Sequence, residues 1–353
     1  MKPMTSKERF KRMYEHREAD RIPIVDSPWA GTIRRWRREG MPSDDWVSYF
    51  GVDSIVGIGV DISPRFETKV IEETDRHIIY TTAWGQTIKQ FKEEDSSPQF
   101  LECKVSTPEA WEEAKARMKP TDDRIPWDWL KEHFERLNSE HFTVANFWFG
   151  FDAASAWMAG TETVLFAMAD NPEWARDMFD TFLDMCIALY TKIWDAGYRF
   201  DAISWPDDMG YKGRTFFSPE MYRELLKPVH KRAVDWAHER GVYAHIHSCG
   251  NIMELVDDLV EIGIDALNPI EVKAGMDPIY LKEKYGDRLV LHGGINAALW
   301  HDRDAIIEEI NRIVPVLKQG GGYIFSSDHS IPNSVSAETF CAIVEEVKRV
   351  GAY

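Results

Sequence analysis

Cysteine is scarce in this chain, with only Cys103, Cys186, Cys249 and Cys341 among 353 residues. They are too widely spread for a disulfide framework, which argues against a stapled secreted scaffold and suits a reducing interior. Long apolar runs are missing as well: none approaches the roughly 18 residues that a membrane span requires. The opening "MKPMTSKERF" lacks the apolar stretch of a signal peptide, so a cytoplasmic location is the expectation. Positive charge is in deficit, and the formal net charge of −17 argues against nucleic acid or an anionic membrane as partner, because both repel such a field. No Gly/Ser linker or low-complexity tract divides the sequence, and it is read as one domain, 1–353.

What is present is alternation. Short apolar runs at 21–25, 53–59, 142–150, 200–205, 242–248, 265–271, 288–294 and 321–327 read as strands. Between them lie long amphipathic stretches, among them 171–197, 218–241 and 336–351, which open on Asn-Pro, Ser-Pro or Ser and run to Gly. Such alternation implies parallel strands joined by right-handed crossovers. Eight strands without a glycine-rich dinucleotide fingerprint favour an α/β fold of the (β/α)8 TIM-barrel type. Residues 68–91 alternate like hairpin strands and predict a small N-terminal antiparallel insertion.

Barrels of this kind carry their chemistry at the C-terminal ends of the strands, and the predicted ends are polar. They deliver Asp207 and Asp208, then His247 and Cys249, then Glu271, His292, and finally Asp328 and His329. In "YAHIHSCGN" (243–251), His245, His247 and Cys249 share one strand face. A lone histidine on an apolar strand is usually a satisfied core residue, and His245, deepest of the three, is read that way. His247 and Cys249 at i and i+2 form a workable bite for one metal ion. Glu271, Asp328 or His329 could complete it, and nitrogen, sulfur and oxygen donors together suit zinc. The arginine run Arg34, Arg35, Arg37 and Arg38 reads as a solvated helix face.

At "HIHSCGN" and the following 266–296 segment "ALNPIEVKAGMDPIYLKEKYGDRLVLHGGIN", the sequence resembles the uroporphyrinogen decarboxylase superfamily. The resemblance extends through "SKERFKRMYEHREADRIPI" (6–24), "YFGVDSI" (49–55), "DDMGYKGRTFFSPEMYRELLKPVHKR" (207–232) and "SSDHSIPNSVSAETF" (326–340). It implies the (β/α)8 fold and one of two chemistries: metal-free decarboxylation of a tetrapyrrole, or zinc-dependent methyl transfer with corrinoid proteins. The decarboxylase's Arg-Gln-Ala-Gly-Arg-Tyr run is absent; the equivalent region reads "VDSPWAGTIRRWRREGM". The methyltransferase branch carries a His-x-Cys pair that His247 and Cys249 match. Its third ligand is a cysteine in a loop that here reads "SDHSIP", which puts His329 at that position, a histidine as in the decarboxylases. The more distant cobalamin-independent methionine synthases place a glutamate where Glu271 stands.

The resemblance therefore implies a zinc-dependent methyltransferase acting between a small methylated substrate and a corrinoid protein. Histidine in place of cysteine makes the zinc more electrophilic, which favours O-demethylation over thiol activation. Fourteen tryptophans are many for this length, and Trp29, Trp148 and Trp205, with Asp328, are expected around a methoxylated aromatic ring. Asp207 or Asp208 would protonate the leaving group. Two other readings compete: a tetrapyrrole decarboxylase using the 34–38 arginines, and a non-enzymatic tetrapyrrole or corrinoid binder. A homodimer is compatible with all of them.

Overall fold

The structure, a computed structural model, describes residues 3–92 and 97–353. Its strands are β1 Ile55–Ile58, β2 Val70–Glu73, β3 His77–Thr81, β4 Gln86–Phe91, β5 Gln99–Cys103, β6 Phe142–Asn146, β7 Ala202–Pro206, β8 Gly210–Tyr211, β9 Arg214–Thr215, β10 Tyr243–His247, β11 Ala266–Asn268, β12 Val290–His292 and β13 Tyr323–Ile324. Seven of them form one curled parallel sheet in the order β1-β6-β7-β10-β11-β12-β13. The predicted first strand adds a parallel bridge from Ile24 to Phe325. Its other edge reaches the approach to β1, where the Asp53 N–H donates to the Ile24 carbonyl at 2.8 Å. Pro23 has no N–H to extend a ladder, so this segment pairs through isolated bridges rather than as a full strand. The result is a TIM-barrel-like ring.

The ring is filled from two sides. Ala244 and Ile246 of β10 belong to the large core between sheet and helices, while the alternate residues His245 and His247 face the interior. Below them, Phe10, Met13 and Tyr14 of the helix Ser6–Tyr14 pack with Phe142, Val144, Ala202, Ala266, Val290 and Ile324 to plug the barrel floor. An ionic knot fixes that helix. Asp53, 1% exposed, accepts from Arg9 Nη1 at 2.9 Å, Arg21 Nη1 at 2.5 Å, the Ile24 N–H at 2.9 Å and Ser6 Oγ at 3.0 Å.

The helices form where their caps and apolar spacing predict. Asn171 caps Pro172–Asp195, which buries Met178, Phe182, Cys186, Leu189 and Ile193 along one face. Ser336 caps Ala337–Val350 in the same way. The stretch expected as one helix over 218–241 is interrupted by a wide turn at Tyr222–Leu226, just before Pro228, and resumes as Lys227–His238. A proline ring removes a helical hydrogen bond and crowds the preceding turn, which accounts for the break. The insertion predicted over 68–91 is present and larger: β2 to β5 make a four-stranded antiparallel sheet, whose last strand lies beyond the expected range. Among the described residues, no helix is long and apolar enough to cross a membrane.

Candidate metal centre

Three donors meet where β7 and β10 end. Cys249 Sγ lies 3.4 Å from His247 Nε2. Asp208 accepts the Cys249 N–H at 2.8 Å, and its Oδ1 stands 3.7 Å from the same imidazole nitrogen. The ligand atoms of Asp208, His247 and Cys249 all fall within 4.8 Å of one another.

The imidazole is oriented for ligation by a neighbour. His247 Nδ1 lies 2.5 Å from Asn268 Oδ1, while Asn268 Nδ2 donates to the His292 carbonyl at 3.1 Å. The second bond fixes the amide, because a carbonyl takes only a donor. Asn268 therefore presents its oxygen to His247, so Nδ1 carries the hydrogen and Nε2 keeps its lone pair toward Cys249 and Asp208. Supporting bonds of this kind hold histidine ligands in place around metals. Replacing Asn268 by leucine is expected to weaken metal binding by roughly 10- to 100-fold with little change in folding, as competition with a chromogenic chelator would measure. An unchanged affinity would remove Asn268 from this role.

The turn that carries Cys249 is shaped by close backbone approach. Gly250 has φ +81°, and a Cβ there would stand 2.1 Å from the Gly210 carbonyl carbon, so only glycine fits against the β8–β9 hairpin. Glu271 holds the same turn by accepting the Gly250 N–H at 2.6 Å, with Lys273 Nζ 3.5 Å from its other oxygen. Burial pushes the Cys249 thiol well above its ordinary value, and the carboxylates of Asp208 and Glu271 add to the rise. A cation would relieve that crowding of negative charge, and the donor set thus fits one.

Beside the donors lies a cavity of about 300 Å³, walled by His247, Cys249, Asn268, His292, His329 and Asp26, with serines making up most of the rest. His329 reaches it from the loop after β13, and its ring stacks on Trp29 with centroids 6.3 Å apart. Asp328 is fully buried and turned into the loops, accepting the Ala297 N–H at 2.7 Å and the Lys273 N–H at 3.4 Å. Asp207 is fully buried too. Its carboxylate lies 2.7 Å from His230 Nε2 and accepts the Asp152 N–H at 2.7 Å, and the His230 Nδ1 in turn meets the Tyr222 hydroxyl at 3.1 Å. Asp152 itself is raised to about 7, by burial first and then by Asp208 and Asp207.

The structure thus brings Asp208, His247 and Cys249 together and sets His329 in the wall of the same cavity. Glu271 supports the cysteine turn, and Asp207 anchors the loop from behind. Trp205 is fully buried against Phe149 and His230, and Trp148 meets Trp157 edge-on; neither is among the residues walling the cavity. His245 is interior, with Tyr14 Oη 3.1 Å from its Nδ1, and burial lowers it to about 3.

The family model for uroporphyrinogen decarboxylase (URO-D) matches residues 81–350, more than half of the chain. The chain belongs to the uroporphyrinogen decarboxylase family. Among solved structures it is similar to a methyltransferase from Methanosarcina mazei, at 14% identity and a TM-score of 0.64, over 98% of this chain and 99% of that one. At that identity the likeness is one of fold. A looser likeness is to the IOLI protein with a bound zinc atom, at 13% identity, 67% of this chain, 87% of that chain and a TM-score of 0.31. Among curated proteins no sequence matches.

In this uroporphyrinogen decarboxylase family member, the 34–38 arginines stand on the helix Ala30–Arg38. Arg35 bonds Glu39 and the Asn333 carbonyl, and Arg37 bonds the Met41 carbonyl. None of the four walls the cavity. Sequence reasoning passed over Asn268 and Asp26. Asn268 had a usable signal: a polar residue closing a predicted interior strand, next to the strand that carries the His-x-Cys pair.

Proposed function

We propose that this protein is a zinc-dependent methyltransferase that moves a methyl group from a small methylated donor, a methoxylated aromatic in this reading, to a corrinoid protein in the cytoplasm. The observation that carries the reading is the donor set itself: an imidazole with its lone pair aimed by Asn268, a thiol and a carboxylate, beside a ligand-sized cavity.

His247 and Cys249 would hold the metal, with Asp208 the nearest further donor and His329 reaching in from the opposite wall. Glu271, the remaining ligand candidate, supports the turn that carries Cys249. Zinc bound there supplies Lewis acidity toward the ether oxygen, which makes the methyl group a better target for a reduced corrinoid. The protein's part is to orient and to exclude water. Asp207, locked between His230 and the Asp152 N–H, positions the loop that presents Asp208. Trp29, outside the cavity lining, would orient an aromatic donor through the His329 ring it stacks on, and Trp148, Trp205 and Asp328 would shape the site from behind it. The tetrapyrrole alternative requires an arginine cluster for many carboxylates, and no arginine walls the cavity.

The test is a coupled assay. Zinc-loaded protein, cob(I)alamin and a panel of methoxylated aromatics should give methylcobalamin, read from its absorbance, at a rate that follows enzyme concentration. No methylcobalamin from any ether would overturn the proposal, and release of CO₂ from uroporphyrinogen would replace it with the alternative.

A further inference from the structure

One carboxyl stands in the wall of the cavity, and it belongs to none of the groups above. Asp26, just after the 21–25 segment, lines the cavity together with His247 and Cys249, and among the described residues lining it there is no other acid. The remaining carboxylates are engaged elsewhere: Asp207 with His230, Asp208 with the Cys249 N–H, Glu271 with the Gly250 N–H and Asp328 with the Ala297 N–H.

The contacts of Asp26 fix its orientation. Its Oδ2 accepts the Ser327 N–H at 2.7 Å, and its Oδ1 accepts the Ser27 N–H at 2.8 Å. Ser327 Oγ lies 2.8 Å from the same Oδ1 and also bonds the His329 carbonyl. The Ser327 hydroxyl donates to Asp26 Oδ1, so two N–H groups and one hydroxyl fix the carboxyl in the cavity wall.

Resting on the methyl-transfer reading, we propose that Asp26 is the general acid of this site, delivering its proton to the oxygen that leaves the methyl group. The electron pair of the corrinoid cobalt(I) forms the bond to methyl carbon, and the carbon–oxygen pair departs with the oxygen. That oxygen takes the Asp26 proton and leaves as a phenol or alcohol. The carboxylate that remains is stabilised by the Ser327 hydroxyl and by the Ser327 and Ser27 N–H groups, and solvent at the cavity mouth restores the proton. Burial in this wall pushes Asp26 up to about 6, even though the Ser327 and Ser27 N–H groups pull it down, so the proton is held close to neutral pH.

The test compares two ethers with zinc-loaded protein and cob(I)alamin: anisole, whose phenolate leaves poorly without a proton, and 4-nitroanisole, whose phenolate leaves unaided. Asp26→Asn should lose roughly 100-fold on anisole and no more than about threefold on 4-nitroanisole, the size expected of a removed general acid. Asp26→Glu should recover part of the anisole activity. Zinc content and thermal midpoint, measured on the same preparations, should match the wild type. Equal losses on both ethers, or none on either, would overturn the role of Asp26 while leaving methyl transfer standing. Failure of the wild type with both ethers would overturn methyl transfer, and this inference with it.

Discussion

Replacing His247 and Cys249 together by alanine is expected to abolish metal binding and, with it, methyl transfer. The pair supplies the nitrogen and sulfur that meet at 3.4 Å, and Asp208 alone is too weak a site to retain zinc. Since loss of a merely supporting residue costs 10- to 100-fold in affinity or activity, removal of both donors should exceed roughly 100-fold and leave only background methylcobalamin. The fold should survive, because neither side chain belongs to the buried apolar cores of the barrel. Circular dichroism would show an unchanged melting profile for metal-free protein, and the coupled assay would show the loss. Retained activity in the double variant would mean that the chemistry lies elsewhere.

The second large effect is on stability. Asp53→Ala removes the carboxylate partner of Arg21, strands the Ile24 N–H and the Ser6 hydroxyl, and leaves Arg9 only its two bonds to Asp20. Breaking a buried ion pair by removing one member costs about 3–5 kcal/mol, because a charge is left desolvated and unpaired. Here the loss also loosens the helix Ser6–Tyr14 from the barrel floor, and the Ile24 strand from the ring. Urea unfolding should show the midpoint falling sharply at an unchanged slope. A change below about 1 kcal/mol, the size of an exposed pair, would show that water reaches the knot and compensates.

These two sites differ in how far the sequence announces them. Barrel strands stand out because each is a short apolar run bounded by caps and glycines, and seven of the eight predicted runs form strands of the curled sheet. The ring segment at 21–25 forms isolated bridges rather than a strand because Pro23 interrupts its ladder. The hairpin insertion was visible from its alternation at 68–91, whereas β5 escaped notice because its exposed "QFLEC" shows no alternating burial. At the metal centre, the His-x-Cys pair is legible because both donors lie on one strand. Its neighbours are not, since they depend on register: Asn268 becomes the partner of His247 only when β10 and β11 align those two positions. For the same reason, Asp207 and Asp208 look alike in sequence. Backbone direction at the end of β7 buries the first against His230 and turns the second toward Cys249. Asp26 gives no sequence signal, because its meaning comes from Ser327, three hundred residues away on the other side of the ring closure.

Metal content is the most direct test of the account. Protein purified without chelator and analysed by inductively coupled plasma mass spectrometry should carry about one zinc per chain, as a tightly held site of this type would, and the His247→Ala/Cys249→Ala variant prepared in parallel should carry none. Wild-type protein that is free of zinc and does not take it up on addition would contradict the central claim.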